Sequence, residues 1–239
     1  RPKSSAASDV YKRQVYCRWN TFKIFKFLEF MLKNETLFFE LALKSDALLL
    51  GDFVLKSGKK SPYFFNVGTF FNKGFIAELS NLYAEEIISS KLEFDLIFGP
   101  AYKGIPLAAA ISASLSTKIS KPIPFAFNRK EVKAHGEGGS IVGELKDKKV
   151  LVVDDVLTAG TALKQSLEII SQEGGITTGC LVALDREEIL DDLLARDKIF
   201  QDFNISVTSI AKISQLIEFL ENCERQDEAK IIKNYLLGT

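Results

Sequence analysis

Two adjacent carboxylates stand between an apolar run and a loop of small residues. The run Val150–Val153 is followed by Asp154 and Asp155, and residues 158–161 contain two threonines and one glycine. Carboxylates at the end of a buried strand can accept hydrogen bonds from vicinal sugar hydroxyls, and a loop that opens a helix presents N–H groups to a tetrahedral anion. The segment therefore predicts a site for a phosphorylated sugar. In the simpler interpretation, Asp155 only caps the helix and Thr158 is an ordinary turn residue.

A second candidate segment is rich in positive charge. Arg129, Lys130, Lys133 and His135 lie close together, and three glycines follow them. Such a segment can close over a diphosphate and reopen, although a run of charges more often forms a solvated turn. His135 is the only histidine, which excludes two-histidine zinc motifs and leaves a single candidate for any Ser-His-Asp triad. It could equally be a surface histidine. We interpret residues 129–142 as a flexible loop.

An arginine at the end of an apolar run and a pair of adjacent aromatic residues are two further candidates. Arg186 follows an apolar run, and its guanidinium fork can bind a carboxylate through two hydrogen bonds. The alternative is an ion pair with Glu187 or Glu188. Phe64 and Phe65 could hold an aromatic ring, although two adjacent aromatic residues more often belong to a core.

The apolar pattern predicts strands that alternate with helices. Four short runs suit strands buried on both faces, namely Asp95–Gly99, Ile123–Phe127, Val150–Val153 and Gly179–Leu184. Helical patterns lie at Glu35–Leu50, which Gly51 would end, at Gly74–Ser90, and at 104–116, 161–173 and 187–195, with a short extended segment at Ser61–Asn66. This alternation predicts a parallel sheet with ligands at the carboxyl ends of its strands.

Composition excludes several classes of protein. With 46% hydrophobic and 26% charged residues the chain is globular, and no apolar run reaches the roughly 18 residues of a membrane span. The cysteines Cys17, Cys180 and Cys223 lack C-x-x-C spacing, which argues against a disulfide framework or a thiolate zinc site and favours a cytoplasmic location. Residues 99–104 have the glycine spacing of a P-loop, but Ile105 replaces its lysine.

Residues 1–30 differ in charge from the rest. Their seven basic and two acidic residues give a net charge of +5, so the remainder carries −5. An acidic body argues against nucleic acid or an anionic membrane as a partner, because both require a basic surface. Met31 is the only methionine, and we expect it to be the natural start. Residues 1–30 would then be non-native or disordered, and their deletion would leave stability and turnover nearly unchanged. A targeting peptide is the alternative, since residues 22–30 are basic and apolar.

Four segments carry a family resemblance, and they are residues 55–66, 99–108, 128–139 and 150–162. The last resembles the phosphoribosyl-diphosphate motif of type I phosphoribosyltransferases. The others, in chain order, resemble the orotate-side motif, the diphosphate-contacting strand end and the flexible loop of the orotate phosphoribosyltransferase family. The resemblance runs from Met31 essentially to the C-terminus. Two departures leave the required groups in place: Lys59 stands where arginine is usual, and Ala134 where an acidic residue is common.

The resemblance implies a fold and a reaction. The fold is α/β, with a central parallel sheet flanked by helices, in one domain over 31–239. A small N-terminal hood would comprise residues 31–70 and part of the C-terminal region. The reaction transfers the phosphoribosyl group of 5-phosphoribosyl 1-diphosphate (PRPP) to orotate, giving orotidine 5′-monophosphate and pyrophosphate in pyrimidine biosynthesis. Mg²⁺ is the implied cofactor, and the implied assembly is a homodimer whose flexible loops reach the partner's site.

The resemblance also implies roles for individual residues. The implied catalytic residues are Lys103, Lys133, His135, Asp154 and Asp155. PRPP would contact these and also Lys56, Tyr102, Arg129, Lys130, Val156, Leu157, Thr158, Ala159, Gly160, Thr161 and Ala162. Orotate would contact Phe64, Phe65, Thr158 and Arg186. We assign no firm protein ligand to Mg²⁺, because this cation is expected mainly on substrate oxygens and water.

Two alternatives use the same fold. A PRPP-binding regulator that acts on nucleic acid would need a basic surface or an added domain, and residues 31–239 are net acidic. A purine phosphoribosyltransferase would have no use for Arg186 against a carboxylate or for the segment Ser61–Asn66.

Overall fold

The computed structural model describes residues 33–55, 58–133 and 139–238. Its elements in chain order are α1 Asn34–Lys44, β1 Leu48–Val54, β2 Lys60–Phe65, α2 Gly68–Asn72, α3 Ile76–Ser90, β3 Leu96–Gly99, α4 Gly104–Ile119, β4 Phe125–Lys133, β5 Gly139–Val142, β6 Lys149–Leu157, α5 Thr161–Gln172, β7 Ile176–Asp185, β8 Ile189–Leu190, β9 Leu193–Leu194, α6 Ala195–Phe203, β10 Val207–Lys212, α7 Gln215–Asn222 and α8 Gln226–Leu237. Six strands form a central sheet in the order β10-β7-β6-β3-β4-β5, with helices on both faces.

The central strands are buried on both faces, as their continuous apolar runs predict. In β6, Leu151 and Val153 join a core cluster that includes residues of α1, α3, α4, α7 and α8. Val150 and Val152 point the other way, into a cluster that includes residues of α5 and α6. Side chains of a strand alternate between faces, so a strand covered by helices on both sides needs an apolar residue at every position.

A two-stranded antiparallel sheet, β1 with β2, covers one side of the larger core. Its register pairs Leu48 with Phe65 and Val54 with Lys60. The larger core cluster joins this layer to the central sheet through buried aromatic residues, among them Phe38, which packs against Phe65 at a ring-centroid distance of 5.9 Å. The C-terminal helix α8 contacts β2. Segments near both ends of the described part of the chain therefore lie over the same face of the sheet.

The predicted helix over Glu35–Leu50 is wrong in its second part. Helix α1 ends at Lys44, and Asp46 adopts a left-handed conformation with φ 56°. Residues 48–50 then pair with residues 63–65 of β2. The apolar side chains of this region suit a helix or a half-buried strand, and pairing with a distant segment decides for the strand.

Two other predictions need correction. The stretch 187–195 forms the short hairpin β8-β9, with positive φ at Asp191 and Asp192, and helix α6 begins only at Ala195. The central sheet is mixed, because β5 runs antiparallel to β4. Within the loop predicted over residues 129–142, the described residues extend β4 and form β5.

The remaining predicted elements are confirmed with small shifts of their ends. The extended segment at 61–66, the helices at 74–90, 104–116 and 161–173, and the four predicted strands are all present. Helices α2, α7 and α8 and strand β10 were not predicted from the sequence, although β10 forms one edge of the sheet. In the described part of the chain, no helix is long and apolar enough to cross a membrane.

Candidate functional site

The carboxyl end of β6 places its two aspartates on opposite faces of the sheet. The strand continues to Leu157, beyond the predicted end at Val153, because residues 154–157 lie beside β7. Successive side chains alternate between faces. Asp154 therefore lies on the α5 side, where it lines a cavity, and Asp155 lies on the side of Lys103.

The cavity on the α5 side has a volume of about 250 Å³. Its lining comprises Asp154, Val156, Leu157, Thr158, Gly160, Thr161, Ala162, Leu163 and Val182. Gly160 precedes α5 with φ 70°, and a Cβ there would stand 2.8 Å from Ile199 Cδ1. Only glycine fits this conformation without strain. Among the described residues no side chain caps the first turn of α5, so its N–H groups face the loop at the positive end of the helix dipole. The cavity is suited to a phosphate.

On the opposite face, Asp155 is buried and paired with a lysine. Lys103 Nζ lies 2.9 Å from Asp155 Oδ2, and about half of the lysine side chain is exposed. The backbone N–H of Asp155 donates to Asp154 Oδ1 at 2.9 Å, and Tyr83 Oη donates to the Asp154 carbonyl oxygen at 2.6 Å. Burial, and then the charge of Asp155, raise the pKa of Asp154 to about 7. An approaching cation would stabilise the ionised form of Asp154.

The carboxyl end of β3 is held close to these aspartates by a tight turn. A Cβ on Gly99 would stand 2.1 Å from the carbonyl oxygen of Gly104, so the strand end and the first turn of α4 are in direct contact. Within this turn the N–H of Ala101 donates to Asn128 Oδ1 at 2.8 Å. Tyr102 is exposed. The turn thus presents Tyr102 and Lys103 at the surface and connects them to β4, on which Arg129 lies.

Arg186 lies at the end of β7, beside the end of β6. Its backbone N–H donates to the carbonyl oxygen of Leu157 at 3.1 Å. Its Nε donates to Tyr63 Oη at 3.0 Å, and Glu188 Oε1 lies 3.4 Å from the same nitrogen. The ion pair considered from the sequence is therefore formed with Glu188, while Glu187 pairs elsewhere. Arg186 Nη2 is buried and has no hydrogen-bond partner among the described residues.

Both neighbours of Arg186 are anchored to other elements. Arg196 Nη1 of α6 lies 2.5 Å from Oδ2 of the buried Asp185 and 3.5 Å from Glu187 Oε1. Glu187 Oε2 accepts the backbone N–H of Ser214 at 2.9 Å. A turn tied on both sides of Arg186 restricts the positions that its side chain can take.

The two aromatic residues predicted beside orotate point to opposite faces of β2. Phe65 packs in the core against Phe38 and Phe70. Phe64 is 41% exposed, and its ring lies 5.7 Å from that of Phe53. The core interpretation that the sequence left open therefore describes Phe65, and Phe64 is the accessible ring.

Some predicted site residues lie outside the described part of the chain. Lys56 and His135 are among them, and the side chains of Lys130 and Lys133 are likewise not described. The extension predicted over residues 1–30 also lies outside the described residues. Four residues near the site were not predicted from the sequence, namely Tyr63, Tyr83, Asn128 and Arg196. Tyr63 and Asn128 lie inside segments that carry the resemblance. Tyr83 and Arg196 had no local signal, because their partners come from other elements.

In the part of the chain that the structure describes, no group of three or more His, Cys, Asp or Glu side chains could hold a metal ion. At the end of β6, the carboxylates of Asp154 and Asp155 supply acidic oxygens. Mg²⁺ binds through oxygen atoms and retains several waters, so one or two carboxylates with substrate phosphates are sufficient for it. The residues present fit an ion held in this way.

Comparison with known proteins assigns the chain to a family. Residues 70–211 match the phosphoribosyl transferase domain. Orotate phosphoribosyltransferase of Hahella chejuensis is 48% identical over 186 residues, which cover 77% of this chain and 86% of that protein. Orotate phosphoribosyltransferase 2 of Saccharomyces cerevisiae is 47% identical over 208 residues, with coverage of 83% and 91%.

A solved structure gives the same assignment. The crystal structure of orotate phosphoribosyltransferase from Francisella tularensis superimposes with a TM-score of 0.74 at 41% identity, covering 83% of this chain and 93% of that one. The matched domain contains the carboxylate pair, the anion cavity and Arg186. The sequence similarity extends over most of this chain and over most of each of these relatives. The chain therefore belongs to the orotate phosphoribosyltransferase family.

Proposed function

We propose that this chain transfers the phosphoribosyl group of PRPP to orotate, producing orotidine 5′-monophosphate and pyrophosphate. One observation carries the proposal beyond family membership. A carboxylate pair, an anion cavity at a helix N-terminus and a partly buried arginine lie at the ends of two neighbouring strands. PRPP requires the first two groups, and a carboxylate-bearing base requires the third.

PRPP occupies the end of β6 in this proposal. The loop 158–162 and the N–H groups of α5 bind the 5′-phosphate in the cavity, and the carboxylates of Asp154 and Asp155 bind the ribose hydroxyls. The turn with Tyr102 and Lys103 meets the diphosphate. Lys103 would exchange its contact with Asp155 for one with a phosphate oxygen, which requires only a movement of its half-exposed side chain. The remaining proposed contacts to the diphosphate come from Lys56, Arg129, Lys130, Lys133 and His135.

Orotate lies between the end of β7 and β2. Arg186 binds its carboxylate, and Phe64 and Thr158 lie against the ring. The role of Phe65 is to support the ring site from the core, since its own ring packs against Phe38. This arrangement places the nucleophilic nitrogen of orotate near the anomeric carbon of PRPP, so that positioning supplies much of the rate enhancement.

The chemistry is a displacement at a carbon that tolerates positive charge. The ionised pair Asp154 and Asp155 stabilises the cationic sugar, and nearby lysines stabilise the departing pyrophosphate. Because the pKa of Asp154 is near 7, positive charge developing on the ribose favours loss of its proton. When bound, Mg²⁺ neutralises charge on the diphosphate, and Asp154 and Asp155 are the residues that would contribute oxygens to it.

The direct test is the loss of orotate absorbance on addition of PRPP and Mg²⁺. We expect turnover with orotate, none when PRPP is omitted, and none with adenine as the acceptor. Absence of orotate turnover by folded protein would overturn the proposal, and turnover with adenine would favour a purine enzyme.

We further propose a homodimer in which the loop of one subunit serves the site of the other. Lys133→Ala and Arg186→Ala, each nearly inactive alone when orotate is kept well below the KM of the Arg186 variant, would be mixed under conditions of subunit exchange. Random pairing makes about half of the dimers hybrid, and each hybrid has one site with neither defect, so roughly a quarter of the parental activity returns. If both residues served the site of their own subunit, mixing would restore nothing.

The proposed location is the cytoplasm. Among the described residues, Cys180 and Cys223 are free thiols, which suits a reducing compartment. Imaging of the tagged chain in its own cell type would test this proposal.

A further inference from the structure

We propose that Tyr63 is a positioning residue that sets the affinity for orotate by fixing the guanidinium of Arg186. The inference rests on the proposed function, because it assumes that Arg186 binds the orotate carboxylate. Through Tyr63, β2 would fix the orientation of Arg186, a role that the aromatic pair Phe64 and Phe65 does not provide.

The contact between the two side chains is both polar and stacked. Arg186 Nε donates to Tyr63 Oη at 3.0 Å, and the central carbon of the guanidinium lies 5.0 Å from the centre of the tyrosine ring. The hydroxyl fixes one edge of the guanidinium, and the ring holds the group through a cation–π contact. Since 123 residues separate the two positions in sequence, the contact joins the small sheet to the end of β7.

Tyr63 is itself rigidly held. It is 1% exposed, and its carbonyl oxygen accepts a hydrogen bond from Ser61 Oγ at 2.7 Å. The ring of Tyr235 from α8 packs against it edge to face at a centroid distance of 6.0 Å. A hydroxyl on a buried ring with neighbours on two sides can keep a charged partner in one place, which a flexible surface residue could not do.

The hydrogen bond determines which edge of Arg186 remains for a ligand. Tyr63 occupies Nε, so a carboxylate bound through two hydrogen bonds must use the edge formed by Nη1 and Nη2. Nη2 is the buried nitrogen without a partner among the described residues. Leaving a charged donor unsatisfied is costly, and an incoming carboxylate would remove that cost.

The protonation state of Tyr63 suits this role. Burial raises its pKa to about 12, so the phenol is neutral at physiological pH. A neutral hydroxyl accepts the hydrogen bond without adding a second negative charge beside Arg186, whose Nε already lies 3.4 Å from Glu188 Oε1.

The test uses Tyr63→Phe, which retains the ring and removes only the hydroxyl. We expect the KM for orotate to rise about tenfold, with the KM for PRPP within about twofold of the parental value. Tyr235→Phe is the matched control, because it removes the hydroxyl of the adjacent ring and keeps the packing. It should leave the KM for orotate unchanged.

A double variant distinguishes positioning from a structural effect. If Tyr63 acts through Arg186, adding Tyr63→Phe to Arg186→Ala should cause no further rise in the KM for orotate. A full additional rise would overturn the proposal, since Tyr63 would then act independently of Arg186. So would an unchanged KM in the single variant, or equal losses for both substrates.

The activity of the parental protein distinguishes a failure of the proposed function from a failure of the inference about Tyr63. If the parent does not consume orotate, the proposed function fails and this inference fails with it. If the parent is active and Tyr63→Phe behaves like the parent, only the inference fails. Melting temperatures of all variants, measured in parallel, identify any loss that comes from unfolding.

Discussion

The ends of β6 and β7 lie side by side at the site, and they differ in how they are built. At the end of β6, the cavity is lined almost entirely by one continuous run, residues 154–163. At the end of β7, Arg186 is held by Tyr63 and Glu188, and its neighbours are tied to Arg196 and Ser214. The first region is local in sequence, and the second is assembled from four parts of the chain.

The difference between the two strand ends agrees with the two ligand groups proposed for them. A phosphate can be bound by consecutive backbone N–H groups, which any loop at a helix start can present. A carboxylate on a flat ring requires a charged side chain in one orientation, and a long arginine side chain holds one orientation only when other elements surround it. We therefore expect changes at the two ends to affect the two substrates separately.

The largest expected effect comes from Asp155→Asn. It removes a buried charge that pairs with Lys103 and is proposed to bind ribose hydroxyls. We expect kcat/KM for PRPP to fall about a hundredfold or more, equivalent to roughly 3 kcal/mol. The KM for orotate should change little. Steady-state kinetics with each substrate varied in turn would show this, and a selective loss of orotate affinity would contradict the assignment of β6.

The second largest expected effect is a loss of orotate affinity with little change in PRPP binding. Arg186→Ala removes a charge-assisted hydrogen-bond pair worth on the order of 1.5–3 kcal/mol, so the KM for orotate should rise about tenfold to a hundredfold. PRPP binding, measured by calorimetry, should stay near normal. If this variant bound orotate as well as the parent, the carboxylate site would have to lie elsewhere.

Arg196→Ala tests whether the end of β7 depends on its anchors. It leaves the carboxylate of Asp185, which is 2% exposed, without its arginine partner. We expect a loss of about 2 kcal/mol in the free energy of unfolding, reduced from the value for a fully buried pair because Arg196 is partly exposed. The KM for orotate should rise a few-fold.

Arg225→Ala is the control for that experiment. Arg225 pairs with Glu228 on the surface, and both side chains are more than a third exposed. Its removal should cost less than about 0.5 kcal/mol in denaturant unfolding. Equal losses for the two arginine variants would show that the anchors at β7 contribute no more than a surface pair.

The smallest expected effect concerns pH at the end of β6. Folding raises the pKa of Asp154 from its ordinary value of 3.8 to about 7. Between these values the folded state binds more protons than the unfolded state, so this group lowers stability as pH rises from about 4 to 7. In Asp154→Asn that contribution is absent. The Tm of the variant minus the Tm of the parent should therefore become more positive by a few degrees from pH 5 to pH 8. A difference in Tm that does not change with pH would contradict the raised pKa of Asp154.

Sequence reasoning predicted the elements with strong local patterns and failed where pairing partners decide. The strands around Val150–Val153 and Gly179–Leu184 are continuous apolar runs, and both are present. Leu48–Leu50 extended a helical pattern, yet it forms β1 because it pairs with β2. The helix predicted over residues 187–195 is wrong for a related reason. The hairpin β8-β9 depends on left-handed backbone at Asp191 and Asp192, and aspartate also occurs in helices.

The sequence alone determined the family, the location of the proposed phosphate site and the identity of its charged groups, because each depends on residues that are close together in the chain. The aspartates, the loop with Gly160 and Arg186 could all be named from short segments. Only the tertiary structure decided that Asp154 and Asp155 face opposite sides of the sheet, since that depends on how far β6 continues beside β7. It also decided that Tyr63 holds Arg186, because a contact across 123 residues is formed by packing of whole elements and leaves no local trace in the sequence.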